Sequence, residues 1–236
     1  MIRNGIIFLL GFLSLLGGAF SPARASSETS VQKTIAVLYF QNNSIADRDK
    51  MEPLRKGLAD MLITELSKIQ ALKVIERNQL QQMIEEMKLG QSGMVDEKTA
   101  QQVGRLLGAQ TLLLGSYVVM FGGKMRIDAR IVEVETGRTI EAEETTGDVK
   151  HLFKMVQKLS QKIAKVLHVK LTKNDKKRLK KSQNKSFDAA LYYSRGLEYL
   201  DAHQYDQAKE MFREALKMNP KYDSAKKQLE QLEMRK

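Results

Sequence analysis

The sequence predicts an α/β (α+β) sandwich, with a mixed sheet covered by helices, followed by a small all-α helical hairpin with a capping helix. Three observations predict this class. A strand–helix–strand order near the start indicates a parallel pair, and glycine turns in the middle indicate an antiparallel meander. Apolar residues with helical periodicity dominate the C-terminal part. The 236 residues are enough for one mid-sized domain and one small domain.

Residues 1–25 have the pattern of a secretory signal peptide, with an apolar run over Gly5–Phe20. Ala23 and Ala25 mark the expected cleavage site, so we expect the mature chain to begin at Ser26. An uncleaved anchor is the alternative, but the run is shorter than the roughly 20 residues that span a bilayer. The chain has no cysteine, hence no lipobox cysteine for a lipid anchor. We therefore expect a periplasmic protein that does not span the membrane after signal removal, or one held peripherally at the outer membrane.

Residues 34–169 are predicted to form the α/β domain. Thr34–Phe40 is apolar throughout, which is typical of a strand buried on both faces. A helix entered through Pro53 follows, and Leu72–Glu76 returns as the parallel partner strand. Ala109–Val119 is a second β-branched apolar run and is predicted to lie at the centre of the sheet.

Two helices and a glycine-rich loop are predicted between the second strand and this central strand. Asn78 is expected to cap the first helix and Asp96 the second. Short segments of this region have a distinctive order and spacing. They are VIER (Val74–Arg77), the loop Lys88, Leu89, Gly90, Gln91, Ser92 and Gly93, then GRLLGA (Gly104–Ala109), Gly115-Ser116 and VETG (Val134–Gly137).

Together these segments resemble the CsgG family of curli-assembly components, a periplasmic α/β domain found in secretion channels and in envelope accessory proteins. The resemblance covers residues 34–171. It implies either an assembly or secretion accessory or, as the alternative, a subunit of an outer-membrane secretion channel of the curli-assembly type. Channel members carry long insertions in this domain, for which the tight turns at Gly122-Gly123 and Thr136-Gly137 leave no room. The accessory role is therefore favoured.

The meander between these turns has a readable alternation. Ile127, Ala129 and Ile131 share one face, Arg126, Asp128 and Arg130 share the other, and Ile131-Val132 breaks the period as a bulge would. Glu141 and Glu143 of the next strand are expected to face the arginines. A charged cluster can be catalytic, but a solvated sheet face with paired charges is the simpler interpretation.

Asp148 is expected to cap a long helix that completes the cover of the sheet. Residues 170–186 then form a basic linker, in which Lys170–Lys185 carries Asp175 as its single acid. Its candidate partner is an anionic surface, although a solvated linker fits equally well. The export signal and the lack of interleaved aromatic residues argue against nucleic acid.

Residues 187–236 are predicted to form one tetratricopeptide (TPR) repeat, Ala189–Tyr222, with a capping helix. The positions that match the repeat pattern are Tyr192, Gly196, Tyr199, Ala208, Phe212, Ala215 and Pro220. One repeat is too few for independent stability. The exposed side of its first helix, Tyr193, Leu197 and Leu200, is therefore a candidate partner surface, covered by the chain's own linker, a second copy or a partner peptide.

Enzyme signals are lacking in the sequence. Its three histidines, His151, His168 and His203, have no metal-ligand spacing, and no nucleophile motif or phosphate loop occurs. We expect no catalytic residue, metal or cofactor. The predicted function is that of an exported, non-enzymatic assembly or secretion accessory that acts through protein contacts with envelope proteins, with a homo-oligomer as a further candidate assembly.

Overall fold

The computed structural model describes residues 32–87, 96–180 and 186–234. The predicted cleavage positions Ala23 and Ala25 and the signature loop Lys88–Gly93 lie outside these residues. The predicted fold class is confirmed: helices pack on a mixed six-stranded sheet, and helical hairpins follow it. The described residues all belong to one compact unit.

Five of the six strands follow the predicted order along the chain, and the two-residue strand Gln41–Asn42 is not among those predicted. The six strands are β1 (Lys33–Val37), β2 (Gln41–Asn42), β3 (Leu72–Val74), β4 (Thr111–Met120), β5 (Lys124–Glu133) and β6 (Thr139–Asp148). The sheet order is β3-β1-β4-β5-β6, with β2 paired to β4. β1 is parallel to both β3 and β4, and β4, β5 and β6 form the antiparallel meander. The central positions predicted for β1 and β4 are thereby confirmed.

The helices of the described residues include short and long elements. They are α1 (Arg48–Met51), α2 (Leu54–Leu66), α3 (Arg77–Glu86), α4 (Glu97–Leu106), α5 (Leu152–Val166), α6 (Lys173–Lys180), α7 (Phe187–Asp201), α8 (Tyr205–Met218) and α9 (Asp223–Glu233). Asp96 caps α4 as predicted, because its carboxylate accepts the Thr99 amide at 2.7 Å. The cap predicted for α3 is wrong: α3 begins at Arg77, with Glu76 as its N-cap, so Asn78 lies inside the helix.

Helices cover the two faces of the sheet unequally. A Cβ on Gly147 of β6 would lie 2.9 Å from the Met155 sulfur, so α5 packs on the face that carries Ile127 and Ala129. α2 packs beside α5 on that face. A Cβ on Gly104 would lie 3.0 Å from Leu112, which places α4 on the opposite face. The first face is the main buried one.

The bulge in β5 is confirmed, because the β5–β6 register shifts between Ile131 and Val132. The expected pairing of Glu141 and Glu143 with the arginines is wrong. They oppose Ile131 and Ala129, on the helix-covered face, and Glu143 pairs with Lys162 of α5 at 2.9 Å. Neither glutamate is therefore on the open face of the sheet.

On the face of the meander that carries Arg126 and Arg130, the carboxylate contributed by β6 is Glu144. Glu144 pairs with Arg126 at 2.6 Å, and Asp128 pairs with the same guanidinium at 2.6 Å. Arg126 and Glu144 are both about half exposed, so solvent screens this ladder and it contributes little stability. The arrangement is that of a solvated face with paired charges.

The predicted basic linker contains α6 among its described residues. Asp175 is buried and accepts hydrogen bonds from the Thr172 amide and hydroxyl, the Gln70 amide and Arg178. Burial disfavours the charged carboxylate, but these hydrogen bonds outweigh it and lower the pKa of Asp175 to about 2. Leu179 is buried as well. This part of the linker is therefore attached to the α/β layers, and its lysines remain exposed.

The C-terminal helices α7, α8 and α9 pack on the α/β helices, mainly through α2 and α7. The two helices approach closely at Gly57, where an added Cβ would lie 1.8 Å from the Ser194 hydroxyl oxygen. Aromatic rings continue the contact, since Tyr222 lies 5.6 Å from Phe153 of α5 and 4.8 Å from Tyr193. One hydrophobic core therefore joins the C-terminal hairpin to the sheet layers.

The helix crossing predicts the effect of Gly57→Ala. Alanine favours an isolated helix by about 1 kcal/mol over glycine, but here its methyl group would collide with Ser194. We expect Gly57→Ala to lower the free energy of unfolding in urea by about 1–3 kcal/mol. Adding Ser194→Gly, which removes the obstructing atoms, should return part of the loss. Stabilisation by Gly57→Ala alone would contradict this packing.

Candidate functional site

The contact between α7 and the α/β helices contains a group of polar side chains that we call the junction cluster. Its members are Tyr39, Lys56, Asp60, Arg77, Tyr193 and Asp201. Lys56 and Asp60 are one turn apart on α2, and Arg77 is the first residue of α3. Tyr193 and Asp201 are two turns apart on α7, so helical spacing brings both to the same side.

Asp201 forms ion pairs with two basic side chains. Its Oδ1 lies 2.8 Å from Arg77 Nη1, and its Oδ2 lies 2.7 Å from Lys56 Nζ. The Arg77 and Asp201 side chains are only 4% and 5% exposed, so water screens their attraction poorly. Two elements of the α/β part, α2 and α3, are thus tied to the end of α7 by one carboxylate.

Asp60 forms the second half of the cluster. The Tyr193 hydroxyl donates to Asp60 Oδ2 at 2.7 Å, and Arg77 Nε lies 3.9 Å from Asp60 Oδ1. Arg77 Nη1 also donates to the Tyr39 hydroxyl at 3.4 Å, and that hydroxyl donates to Gln81 at 2.7 Å. Arg77 therefore lies between both carboxylates and the phenol of Tyr39.

The electrostatics of the two carboxylates differ. Burial raises the pKa of Asp60, and the hydrogen bond from Tyr193 and the charge of Arg77 offset this only in part. Burial alone would lower the pKa of Arg77, but the nearby Asp201 charge outweighs it and raises that pKa. Ionised Asp60 is therefore a cost to folding, whereas Asp201 compensates the buried Arg77 and the mostly buried Lys56.

The structure gives the candidate partner surface a different role. Tyr193 and Leu197 are fully buried under α2, and Leu200 is half-buried. Helix α2 packs against α7, so Tyr193 and Leu197 are covered within the chain, while Leu200 stays partly exposed. The covering element is α2, not the basic linker.

The repeat-pattern residues lie where two helices cross. A Cβ on Gly196 would lie 2.4 Å from the Phe212 ring, so glycine permits the close approach of α7 and α8. Ala208, Phe212 and Ala215 are fully buried. Tyr192 and Tyr199 are half-buried against the core, and Pro220 is exposed in the turn before α9.

Lys56, Asp60 and Asp201 were not predicted as site residues from the sequence. Arg77 was noted only as the last residue of the VIER segment. A signal for Asp60 was present: it follows Leu58 and Ala59 and precedes Met61 and Leu62 in an otherwise apolar run. A carboxylate in such a run needs a buried partner. Asp201 has no comparable signal, because it lies at the polar end of its helix.

A cleft opens beside the junction cluster, which we call the junction cleft. Its volume is about 420 Å³. It is lined by Tyr39, Arg55, Lys56, Gln81, Ile84, Glu198, Tyr199, Asp201, Ala202 and Gln204. The lining comes from α2 and α3 on one side and from the end of α7 on the other, so the cleft exists only while α7 is docked.

The described residues also bear on two other kinds of site, a membrane-spanning helix and a metal centre. In residues 32–87, 96–180 and 186–234, no helix is long and apolar enough to cross a membrane. Across the same ranges, no three His, Cys, Asp or Glu side chains are grouped so that they could hold a metal ion.

Comparison with protein families supports the two-part organisation. Residues 18–126 match the family described as curli production assembly/transport component CsgG, and residues 189–222 match the tetratricopeptide repeat. The chain therefore has a CsgG-like part followed by a C-terminal TPR repeat, and the resemblance found in the sequence is confirmed. The CsgG family match ends at residue 126, whereas the resemblance described from the sequence extends from residue 34 to residue 171.

Individual relatives are more distant. "Putative adenylate cyclase 3" of Rhizobium meliloti (strain 1021) is 25% identical over 201 residues, which are 84% of this chain and 32% of that protein. The chain thus spans about a third of the length of this curated relative.

Solved structures with some likeness include three proteins. E. coli LpoB has 12% identity and a TM-score of 0.41, with 61% of this chain and 82% of that chain covered. Lipoprotein GNA1162 from Neisseria meningitidis has 15% identity and a TM-score of 0.40, with 56% and 99% covered. A PelC dodecamer from Paraburkholderia phytofirmans has 12% identity and a TM-score of 0.37, with 60% and 90% covered. These values are too low to transfer function.

The junction cluster predicts opposite outcomes for its two carboxylates. Asp201→Asn removes the counter-charge that Lys56 and Arg77 share and leaves Arg77 only the contact with Asp60 at 3.9 Å, so it should lower the free energy of unfolding by about 3–5 kcal/mol. Asp60→Asn keeps an acceptor for Tyr193 and removes a desolvated charge, so the change should stay within about 1 kcal/mol. Denaturant unfolding of both variants is the measurement.

The pH dependence of the free energy of unfolding is the control for these two variants. Because the pKa of Asp60 is raised in the folded protein, wild type loses stability as pH rises through that pKa. Any advantage of Asp60→Asn should therefore vanish in acid, where the wild-type carboxyl is protonated. Equal losses from the two substitutions at neutral pH would contradict the assigned roles.

Proposed function

We propose that this protein is an exported, non-enzymatic assembly or secretion accessory of the cell envelope. It binds partner proteins through a surface to which the CsgG-like part and the TPR repeat both contribute. The observation that carries the proposal is the junction cluster, which fixes the repeat to the α/β helices and builds the junction cleft from both parts. A repeat held in this way is a structural component of the binding unit rather than a module on a tether.

Two findings support a protein-contact role. The CsgG family is described as an assembly and transport component, and TPR repeats build helical surfaces that other proteins bind. Because α2 covers Tyr193 and Leu197, the partner surface lies elsewhere. The junction cleft is the concave surface where the two parts meet, and concave surfaces are where ligands bind preferentially.

The non-enzymatic character is part of the proposal. Cyclase activity is named for a relative of which this chain spans about a third, and it is not transferred here. The junction cluster consists of mutually paired charges, an arrangement typical of structural ion pairs.

Site-directed photo-crosslinking in envelope preparations tests this function. A photoreactive amino acid at Gln204, on the cleft, should give a discrete adduct with a distinct envelope protein, identified by mass spectrometry. The same amino acid at Lys98, an exposed residue of α4 on the other face of the sheet, is the matched control. The same adduct yield at both positions would contradict the proposal. Adducts only with a second copy of this chain would favour the alternative, a subunit of a secretion channel.

In parallel, deletion of the gene should lower the amount of the captured partner that reaches the cell surface or the medium. Wild-type protein should restore it, and Gly57→Ala, which disturbs the α2–α7 crossing, should restore less at equal protein level. Full restoration by a chain truncated before α7 would show that the repeat has no part in the function.

A further inference from the structure

Charges of both signs surround the junction cleft. Four bases, Arg55, Lys56, Arg77 and Arg195, lie near four acids, Glu52, Asp60, Glu198 and Asp201. The two bases that line the cleft, Arg55 and Lys56, are already paired, and so is Arg77. Arg55 contacts Glu52 at 3.0 Å and donates to the Phe40 carbonyl at 3.0 Å, and Lys56 and Arg77 share Asp201.

Of the two acids that line the cleft, Asp201 is paired and, among the described residues, Glu198 is not. It lines the cleft from α7, is half-buried, and makes no ion pair or side-chain hydrogen bond with any residue that the structure describes. Burial raises the pKa of its carboxyl, and the charges of Lys56, Arg55 and Arg195 offset the effect only in part, with Glu52 adding to it. A cationic group bound beside this carboxylate would form a charge-assisted hydrogen bond with it.

We propose that the junction cleft binds the positively charged side chain, arginine or lysine, of an extended segment of the partner protein, with Glu198 as its anchor. This inference rests on the proposed function, because it names the chemistry of the partner at the same cleft. Tyr199 and Gln204 add polar groups beside Glu198, and Ile84 adds an apolar wall for the aliphatic stem of the ligand.

The cleft already shows how it accommodates a cation. The Lys56 ammonium lies 5.6 Å from the centre of the Tyr39 ring, within the range of cation–π attraction. Tyr199 offers a second ring in the same cleft. Arg55 and Lys56 are both paired with carboxylates, so an anionic ligand would have to displace one of these pairs. A cationic ligand would instead contact the unpaired carboxylate of Glu198.

Amide chemical shifts of the full-length mature protein, labelled with nitrogen-15, test the proposal. The probe is the tripeptide acetyl-Gly-Arg-Gly-amide, and the comparison probes are its Glu counterpart and putrescine. The arginine peptide should shift the amides of Tyr199, Ala202 and Gln204 in a saturable way. The glutamate peptide should not, and putrescine, which lacks a peptide backbone, should bind more weakly than the arginine peptide.

Glu198→Gln should weaken arginine-peptide binding about tenfold, the effect expected for the loss of one charge-assisted hydrogen bond. Glu210→Gln, an exposed acid on α8, is the matched control and should leave binding unchanged. Raising the pH through the raised pKa of Glu198 should strengthen binding in wild type and not in Glu198→Gln.

Equal binding of the glutamate peptide, tighter binding of putrescine, or no effect of Glu198→Gln would overturn the assignment. The two proposals can fail separately. An adduct at Gln204 without arginine-peptide binding leaves the accessory function standing and removes the cationic specificity. Binding of the arginine peptide without any adduct at Gln204 in the envelope leaves the cationic specificity of the cleft standing and removes the accessory function.

Discussion

The shared ion pair of Arg77 and Lys56 with Asp201 is the interaction on which the arrangement of the molecule depends. It joins the starts of α2 and α3 to the end of α7, where the Arg77 and Asp201 side chains are almost fully buried. A buried pair of this kind adds little net stability compared with apolar packing, but loss of one partner is expensive. Its main effect is therefore to specify one way of docking the repeat on the α/β helices.

This constraint explains how a single TPR repeat can be stable. Repeats of this kind normally bury their apolar sides against neighbours. Here α2 replaces the preceding repeat, with Gly57 and Ser194 allowing close approach, and α9 covers the other end. The repeat thereby becomes part of the wall of a cleft, and the cleft combines residues that are far apart in the sequence.

Much of the fold was predictable from sequence because its signals are local. The apolar runs of β1 and β4, the glycine turns and the bulge at Ile131-Val132 each depend on neighbouring residues, and all were predicted. The pairing of Glu141 and Glu143 was not, because the cross-strand register depends on the bulge and the turn together. The junction cluster joins residues separated by up to 145 positions, and no local pattern indicates which helix will cover which. Only the carboxylate of Asp60 within an apolar run hinted at it.

Native-state hydrogen exchange tests most directly the central claim that the repeat and the α/β helices form one cooperative unit. Amides in the middle of α2 and of α7 should open with the same free energy, equal to that of global unfolding. The same agreement should hold across a series of denaturant concentrations. Opening of α7, α8 and α9 at a clearly lower free energy than α2, as for a module on a linker, would contradict the account.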